Sequence, residues 1–426
     1  LYSRIFSRFT QAAGAFDELS QLAIVRKTTT MNSTIVMINL FGAVALLLFG
    51  LAQVKDGVSR AFGARLRTGL ASGTRGSARS FLSGFIATVA LQSSTATALM
   101  VSSFVERELV KPRMAQIVLL GANVGTAVTA WIVSTGIEWL SPLVILVGVI
   151  LYRSSNSSTR QASGTALVGI GLMLLSLQLL GLATGPMRAS PAMAAFIQLL
   201  DNAWPVAMIF AAVLAFVSSS SLAVVVLILS LAATGILSTG LIIVLVLGAN
   251  LGGAIPPFMA TLSGPASARR VTLGNLIVRA IGCLIALPLA GYAAQGLQGL
   301  DLARENLPVD IHLLFNIVLA AVAWPFSSPL SKLMVRLVPA EEQPDTGPRF
   351  LDKTTLNTPV VALANATREV LGVGDLIEKM LLKTADAFAH NRPLLLQEIG
   401  LLEKRVDHLQ QEVKVFLSKL GRNGLD

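Results

Sequence analysis

Apolar runs long enough to cross a bilayer alternate with short polar segments along the first three quarters of the chain. The first covers residues 34–54, TIVMINLFGAVALLLFGLAQV, and about 20 helical residues cross the roughly 30 Å of hydrocarbon. Others cover 81–105, 114–134, 139–152, 162–182, 205–231, 238–262, 271–296 and 310–335. Past residue 336 the pattern becomes that of soluble helices. Val370, Val373, Ile377 and Met380 fall at helical spacing. Beyond Asn391 and Pro393, which signal a helix start, Leu395, Ile399, Leu402, Val406, Leu409, Val413, Phe416 and Leu420 alternate steps of four and three. Two antiparallel helices are therefore predicted over 359–426, after a linker over 337–358.

The polar connections set a topology. KDGVSRAFGARLRTGLASGTRGSARS, after the first run, holds six basic residues against one Asp, and Glu106–Arg113 adds Arg107, Lys111 and Arg113. A single crossing by 81–105 would put these two clusters on opposite sides, against the excess of Lys and Arg in cytoplasmic loops. A re-entrant hairpin removes the conflict, each arm of about 11 residues reaching about 16 Å, near the midplane. The run 205–231 is followed by the uncharged ATGILSTG and reads as a second hairpin, entered from outside. With both in place, Lys55, Arg60, Arg65, Arg67, Arg75, Arg79, Arg107, Lys111, Arg113, Arg153, Arg160, Arg269, Arg270, Lys332 and Arg336 fall inside. Only Arg188 and Arg304 fall outside after the first helix, and the C-terminus is expected in the cytoplasm. Residues 1–33 carry Arg4, Arg8, Arg26 and Lys27 on the expected outer side. Met31 directly precedes the first span, so the native start is expected there, or 1–33 is an N-terminal extension outside the fold.

The pattern also repeats. LQSSTATALM (91–100) aligns with VSSSSLAVVV (217–226) at an offset of 126, and IVLLGANVGTAVTAW aligns with LVLGANLGGAIPPF at 127. Because the hairpins enter from opposite sides, repeat one (about 81–182) and repeat two (about 205–296) are expected to be inverted, a plan of carriers whose sites lie in broken helices at the midplane. The expected architecture is an all-α polytopic membrane protein. It has a transport domain over 34–336, each repeat holding a re-entrant hairpin and a broken helix, and a C-terminal cytoplasmic helical hairpin.

Composition agrees with this architecture. Of the 426 residues, 54% are apolar and 13% charged, with mean hydropathy +0.71, whereas soluble domains are about a quarter charged. The net charge of +10 follows from the inside loops, without the aromatic interleaving of a nucleic-acid surface, so no nucleic-acid partner is expected. The single Cys283, in an apolar run, builds no disulfide or cysteine metal site. An enzyme is disfavoured: of three histidines, His390 and His408 lie in the tail and His312 at the start of the last span, and no HExxH, P-loop or intramembrane carboxylate pair occurs.

The chemistry concentrates where the repeats are polar at membrane depth, where each such group needs a partner. A hairpin turn starts a new helix near Ser93–Thr95, and its unpaired N–H groups and dipole attract an anion. Ser and Thr hydroxyls can donate to phosphate oxygens or turn lone pairs to a cation, and Gln92 can do both. In Gly121-Ala122-Asn123-Val124-Gly125-Thr126 and Gly248-Ala249-Asn250-Leu251-Gly252-Gly253, glycines permit a broken helix with free carbonyls and Asn adds an oxygen; such neutral oxygens suit Na+.

These residues resemble the type II sodium/phosphate cotransporters and their bacterial relatives, over about 34–426. Gln92, Ser93, Ser94 and Thr95 match that family's first motif, and GANVGT its usual continuation. In the second half Ser219, Ser220 and Ser221 match, while Ser218 stands where Gln is common and Gly253 where Thr is usual. IHLLFNIV, with His312 and Asn316, looks like the family's last span. The tail over 359–426 resembles part of a PhoU-like domain, used for packing, dimerisation or a regulatory partner. The resemblance implies sodium-coupled transport of inorganic phosphate by alternating access, with no tightly bound organic cofactor. Phosphate is expected at Gln92, Ser93, Ser94, Thr95, Ser219, Ser220 and Ser221. Na+ is expected at Gln92, Ser94, Asn123, Thr126, Ser218, Ser220 and Asn250. A carrier for another oxyanion and a non-transporting membrane phosphate sensor are the alternatives.

Overall fold

The structure, a computed structural model, describes residues 33–154, 157–298, 306–339, 347–352, 355, 356, 358–390, 392 and 394–422; the expected N-terminal extension and Met31 lie outside them. All regular structure among these residues is helical. Two compact units form. One comprises the chain up to Val105 and Val110–Val338, the other Glu106–Leu109 with the chain from Pro339 onward.

The first unit begins with α1 (Ser33–Ser72), followed by α2 (Ser77–Leu91), α3 (Ser94–Glu106) and α4 (Pro112–Val133). Next come α5 (Ser141–Arg153), α6 (Ser158–Thr184), α7 (Pro191–Asn202), α8 (Trp204–Val217) and α9 (Ser221–Ala233). The unit closes with α10 (Thr239–Gly252), α11 (Ile255–Thr261), α12 (Ala266–Gln298), α13 (Leu307–Ala323) and α14 (Ser327–Leu337). Among the described residues five helices are long and apolar enough to cross a membrane, or up to seven when each sharply bent pair counts as one span. Helices α2 and α9, with 15 and 13 residues, are too short to cross alone, as hairpin arms require.

Several expected boundaries change. The basic stretch after residue 54 is helical, because α1 continues to Ser72 with no proline to stop it. Its continuation lies against α6: a Cβ on Gly57 would sit 2.5 Å from the carbonyl oxygen of Ala162, and one on Gly169 2.6 Å from the amide of Val54. Backbones that close need small residues on both helices, as in membrane helix pairs generally. The run 310–335 breaks between α13 and α14 with an 82° bend at Trp324-Pro325-Phe326, where Pro325 supplies no N–H to the ladder. A helix absent from the sequence reading, α7, has Ser190 Oγ accepting from the amide of Met193 and meets α8 at 111°.

The repeated GAN-x-G segments also differ from expectation. Helix α4 runs unbroken through Gly121–Thr126, whereas α10 ends at Gly252 and α11 restarts at Ile255. Thr129 and Ala130 continue the helix in the first copy; the equivalent positions of the second are Pro256 and Pro257, preceded by Gly252-Gly253. The broken helix is therefore a feature of repeat two alone. In repeat one the glycines instead permit close approach: a Cβ on Gly121 would sit 2.0 Å from the carbonyl oxygen of Phe81. The same contact recurs 127 residues later, where a Cβ on Gly248 would sit 2.2 Å from that of Met208. Gly125 with Phe85 and Gly252 with Ala212 form a second such pair, so α2 on α4 and α8 on α10 are equivalent packings. Apolar burial centres on α10, whose residues from Gly240 to Asn250 are all buried.

In the second unit α15 (Pro359–His390) and α16 (Leu394–Arg422) pair as a hairpin. Leu409, Val413, Phe416 and Leu420 of the expected seam are buried, with Ala362 and Ala366 opposite part of it. Val370 and Ile377 are exposed, however, because apolar residues lie almost all round α15 and Val373 and Met380 are the ones turned inward. Glu369 is buried and accepts from the amide of Phe350 at 2.7 Å.

Candidate functional site

The hairpin tips share one backbone design. Helix α2 ends at Leu91, and Gln92 takes the left-handed conformation at φ 48°, ψ 33°; after α8, Ser219 does the same at φ 51°. Non-glycine residues rarely occupy that region, and here it turns the chain so that a new helix starts at once. Ser93 Oγ then accepts from the amide of Ala96 and Ser220 Oγ from that of Ala223, each at 3.1 Å. Side-chain capping of this kind satisfies one of the four free N–H groups at a helix start and leaves others aimed into the turn. Gln92 therefore pairs with Ser219 and Ser93 with Ser220, at the offset of 127 that holds for the glycines. The sequence alignment at 126 placed Ser218 opposite Gln92; four consecutive serines fit either register, and backbone geometry decides. Ser218 instead closes α8, donating to the carbonyl of Leu214 at 2.7 Å.

Gln92, Ser93, Ser94 and Thr95 are half-buried at the first tip. At the second, Ser219 is exposed, Ser218 and Ser220 half-buried and Ser221 buried. The hydroxyls of Ser94, Thr95, Ser219 and Ser221 have no hydrogen-bond partner among the described residues, and the buried Gln92 Oε1 has none either. The arms of the first hairpin are tied by Thr88 Oγ1 donating to Thr97 Oγ1 at 2.8 Å, and Thr88 lies against Gly125. A Cβ on Gly253 would lie 2.8 Å from that of Ser221, which places the second tip against the break after α10. The two tips make no hydrogen bond to each other among the described residues.

Asn123, Thr126 and Asn250, expected near Na+, lie elsewhere, in a buried polar layer where α4, α10, α12 and α13 meet. Asn123 Nδ2 donates to Asn275 Oδ1 at 2.9 Å, and Arg279 donates through one terminal nitrogen to Asn123 Oδ1 and through the other to the carbonyl of Asn250, both at 2.7 Å. Asn250 Nδ2 donates to the carbonyl of Val246 and to His312 Nδ1 at 2.8 and 2.9 Å, while its Oδ1 accepts from Asn316 Nδ2 at 2.8 Å. Thr126 Oγ1 donates to the carbonyl of Ala122 at 3.2 Å. Both asparagine side chains thus have other uses: they hold Arg279 and the last helix in register. The sequence reading passed over Arg279 because the run around it is apolar. A lone Arg in such a run, with Asn275 one turn before it on the same face, is the signal that identifies it.

A search with protein-family models matches residues 46–181 to the Na+/Pi-cotransporter family. The chain is also 35% identical, over 391 residues, to "Putative inorganic phosphate export protein YjbB" of Escherichia coli (strain K12), covering 91% of this chain and 72% of that protein. It belongs to the Na+/Pi-cotransporter family. This family member is a multi-pass membrane protein and a transporter, not an enzyme. The Salmonella typhimurium (strain LT2) protein of the same description is 36% identical over the same lengths. "Uncharacterized protein YqeW" of Bacillus subtilis (strain 168) is 24% identical over 309 residues, 72% of this chain and all of that protein. No solved structure matches the chain significantly.

Proposed function

We propose that the protein carries inorganic phosphate across the cytoplasmic membrane, coupled to Na+, by alternating access between two inverted repeats. The observation that carries the reading is the matched pair of hairpin tips. Each places a left-handed residue, a serine cap and the start of a short apolar helix at one point, 127 residues apart. Free N–H groups at a helix start favour an anion, and the unengaged hydroxyls of Ser94, Thr95, Ser219 and Ser221 add donors beside those of Gln92, Ser93 and Ser220. Family membership supports phosphate, and the names of the Escherichia coli and Salmonella relatives point to export. A carrier driven by gradients runs either way, so the sign of the Na+ gradient sets the net flow.

For Na+, the unpartnered Gln92 Oε1 is the best placed oxygen, with the lone pairs of Ser94 and Ser220 beside the same turns. Asn123 and Asn250 contribute by shaping the layer behind the tips. The C-terminal helices lie in the cytoplasm and offer a surface for a second copy or a regulatory partner.

Radiolabelled phosphate flux in proteoliposomes, with and without a Na+ gradient, tests the reading. Ser94→Ala and Ser221→Ala occupy equivalent positions and spare both caps. A hydrogen bond to a charged group contributes about 1.5 to 3 kcal/mol, so each should weaken phosphate transport roughly tenfold or more at limiting phosphate. Parent-like transport by both variants would make the hydroxyl runs packing devices.

A further inference from the structure

Arg279 is 1% exposed, in the middle of an apolar helix, and no described carboxylate pairs with it. Its acceptors are an amide oxygen and a backbone carbonyl, both neutral. Burying an ion costs several kcal/mol even after relaxation, and neutral acceptors recover only part of that. A side chain kept in such a place has a compensating charge in at least one state of the protein.

The position of Arg279 indicates where that charge comes from. Its two acceptors belong to Asn123 and Asn250, equivalent residues of the two repeats, so the guanidinium sits where the repeats meet. Asn250 is one helical turn, about 5 Å, from Gly253, against which Ser221 of the second tip packs. On the other side Asn123 lies two residues from Gly125, against which Thr88 packs, and Thr88 is bonded to Thr97 of the first tip's second arm. Two buried donors of the layer also remain without partners. One is Arg279 Nε. The other is His312 Nε2, which carries the ring proton because Nδ1 accepts from Asn250 Nδ2.

We propose that Arg279 is the fixed countercharge of the carried anion, a resident cation placed behind both hairpin tips that takes over part of the neutralisation otherwise left to Na+. The inference rests on the anion-carrier reading above. It assigns the anion a charged partner that the Gln, Ser and Thr motifs do not contain. It also explains the chemistry of the asparagine layer, since a carbonyl and an amide oxygen are the ligands that suit a cation, and here the cation is part of the protein.

Three variants separate a countercharge from a structural strap. Arg279→Gln keeps hydrogen-bonding capacity and loses the charge; Arg279→Lys keeps the charge. Asn275→Asp keeps Arg279 and is isosteric, its Oδ1 still placed to accept from Asn123, but it sets a carboxylate one turn before the guanidinium. Phosphate flux is measured in proteoliposomes at fixed Na+, on protein that elutes from size exclusion like the parent. The expected result is that Arg279→Gln and Asn275→Asp each raise the KM for phosphate tenfold or more, while Arg279→Lys recovers most of the difference. A strap predicts instead an unchanged KM with a lower kcat for Arg279→Gln and parent behaviour for Asn275→Asp, and that result overturns the proposal. If Arg279→Gln does not reach the membrane, Asn275→Asp decides alone. Thermal stabilisation by phosphate and by sulfate is measured in parallel. If the parent moves no phosphate but either anion stabilises it and not Asn275→Asp, the carrier reading fails while the countercharge stands; if neither anion stabilises the parent, both fail.

Discussion

Adding one methyl group at Gly121 or Gly248 should damage the protein, and adding it at Gly181 should not. A Cβ at Gly121 would lie 2.0 Å from the carbonyl oxygen of Phe81 and 2.8 Å from its carbonyl carbon; at Gly248 the corresponding distance to Met208 is 2.2 Å. Carbon and oxygen in ordinary contact stay more than 3 Å apart, so α2 or α8 would have to retreat by about 1 Å. The clashing atoms are backbone, so no rotamer change relieves them, and overpacking of this kind costs about 1 to 3 kcal/mol. That corresponds to a drop in melting temperature of about 2 to 10 °C, measurable by fluorescence-detected size exclusion of the solubilised protein after heating. Because α2 and α8 end at the two hairpin tips, the same shift displaces Gln92 and Ser219, and phosphate flux should fall more than stability does. At Gly181, inside α6, nothing lies within 4 Å of the added atom, and Ala gains up to about 1 kcal/mol of helix propensity. Equal melting temperatures for Gly121→Ala, Gly248→Ala and Gly181→Ala would refute the close packing of α2 on α4 and α8 on α10, and with it the equivalence of the two repeats.

Cysteines at Ala78 and Ala233, both exposed, should differ in labelling by an impermeant thiol reagent applied to intact cells. Ala233→Cys should react and Ala78→Cys should not, against little background because the native Cys283 is buried; the opposite pattern would reverse the topology. In the C-terminal hairpin, the hydrogen bond from Lys383, aided by its charge, holds the Glu398 carboxyl below its usual range. The pair's contribution is therefore full above the ordinary carboxylate pKa and is lost as pH falls through the lowered one. Hydrogen exchange of α15 and α16 in the full chain should quicken over that acidic window in the parent, and Glu398→Gln should lack the pH dependence.

The amphipathic and apolar periodicities alone determined most of what is local. Runs of about 20 apolar residues can do little in a bilayer except form helices, so the all-helical class followed directly. The four-and-three spacing from Leu395 to Leu420 marked one side of the C-terminal hairpin for a similar reason, since α16 has a single apolar stripe. On α15, where apolar residues surround the helix, the same method misplaced Val370 and Ile377. The repeated polar motifs were equally legible, but their register was not, because four serines in a row carry no internal landmark and only the φ of Ser219 shows which one matches Gln92. The two GAN-x-G segments read alike in sequence and fold differently. Whether such glycines break a helix or let two backbones touch depends on what stands beside them: Pro256 and Pro257 in one case, Phe81 and Phe85 in the other. Arg279 is the clearest case of dependence on tertiary structure. Its acceptors are 156 and 29 residues away along the chain, so only the packing of α4 and α10 around α12 makes one guanidinium the meeting point of both repeats.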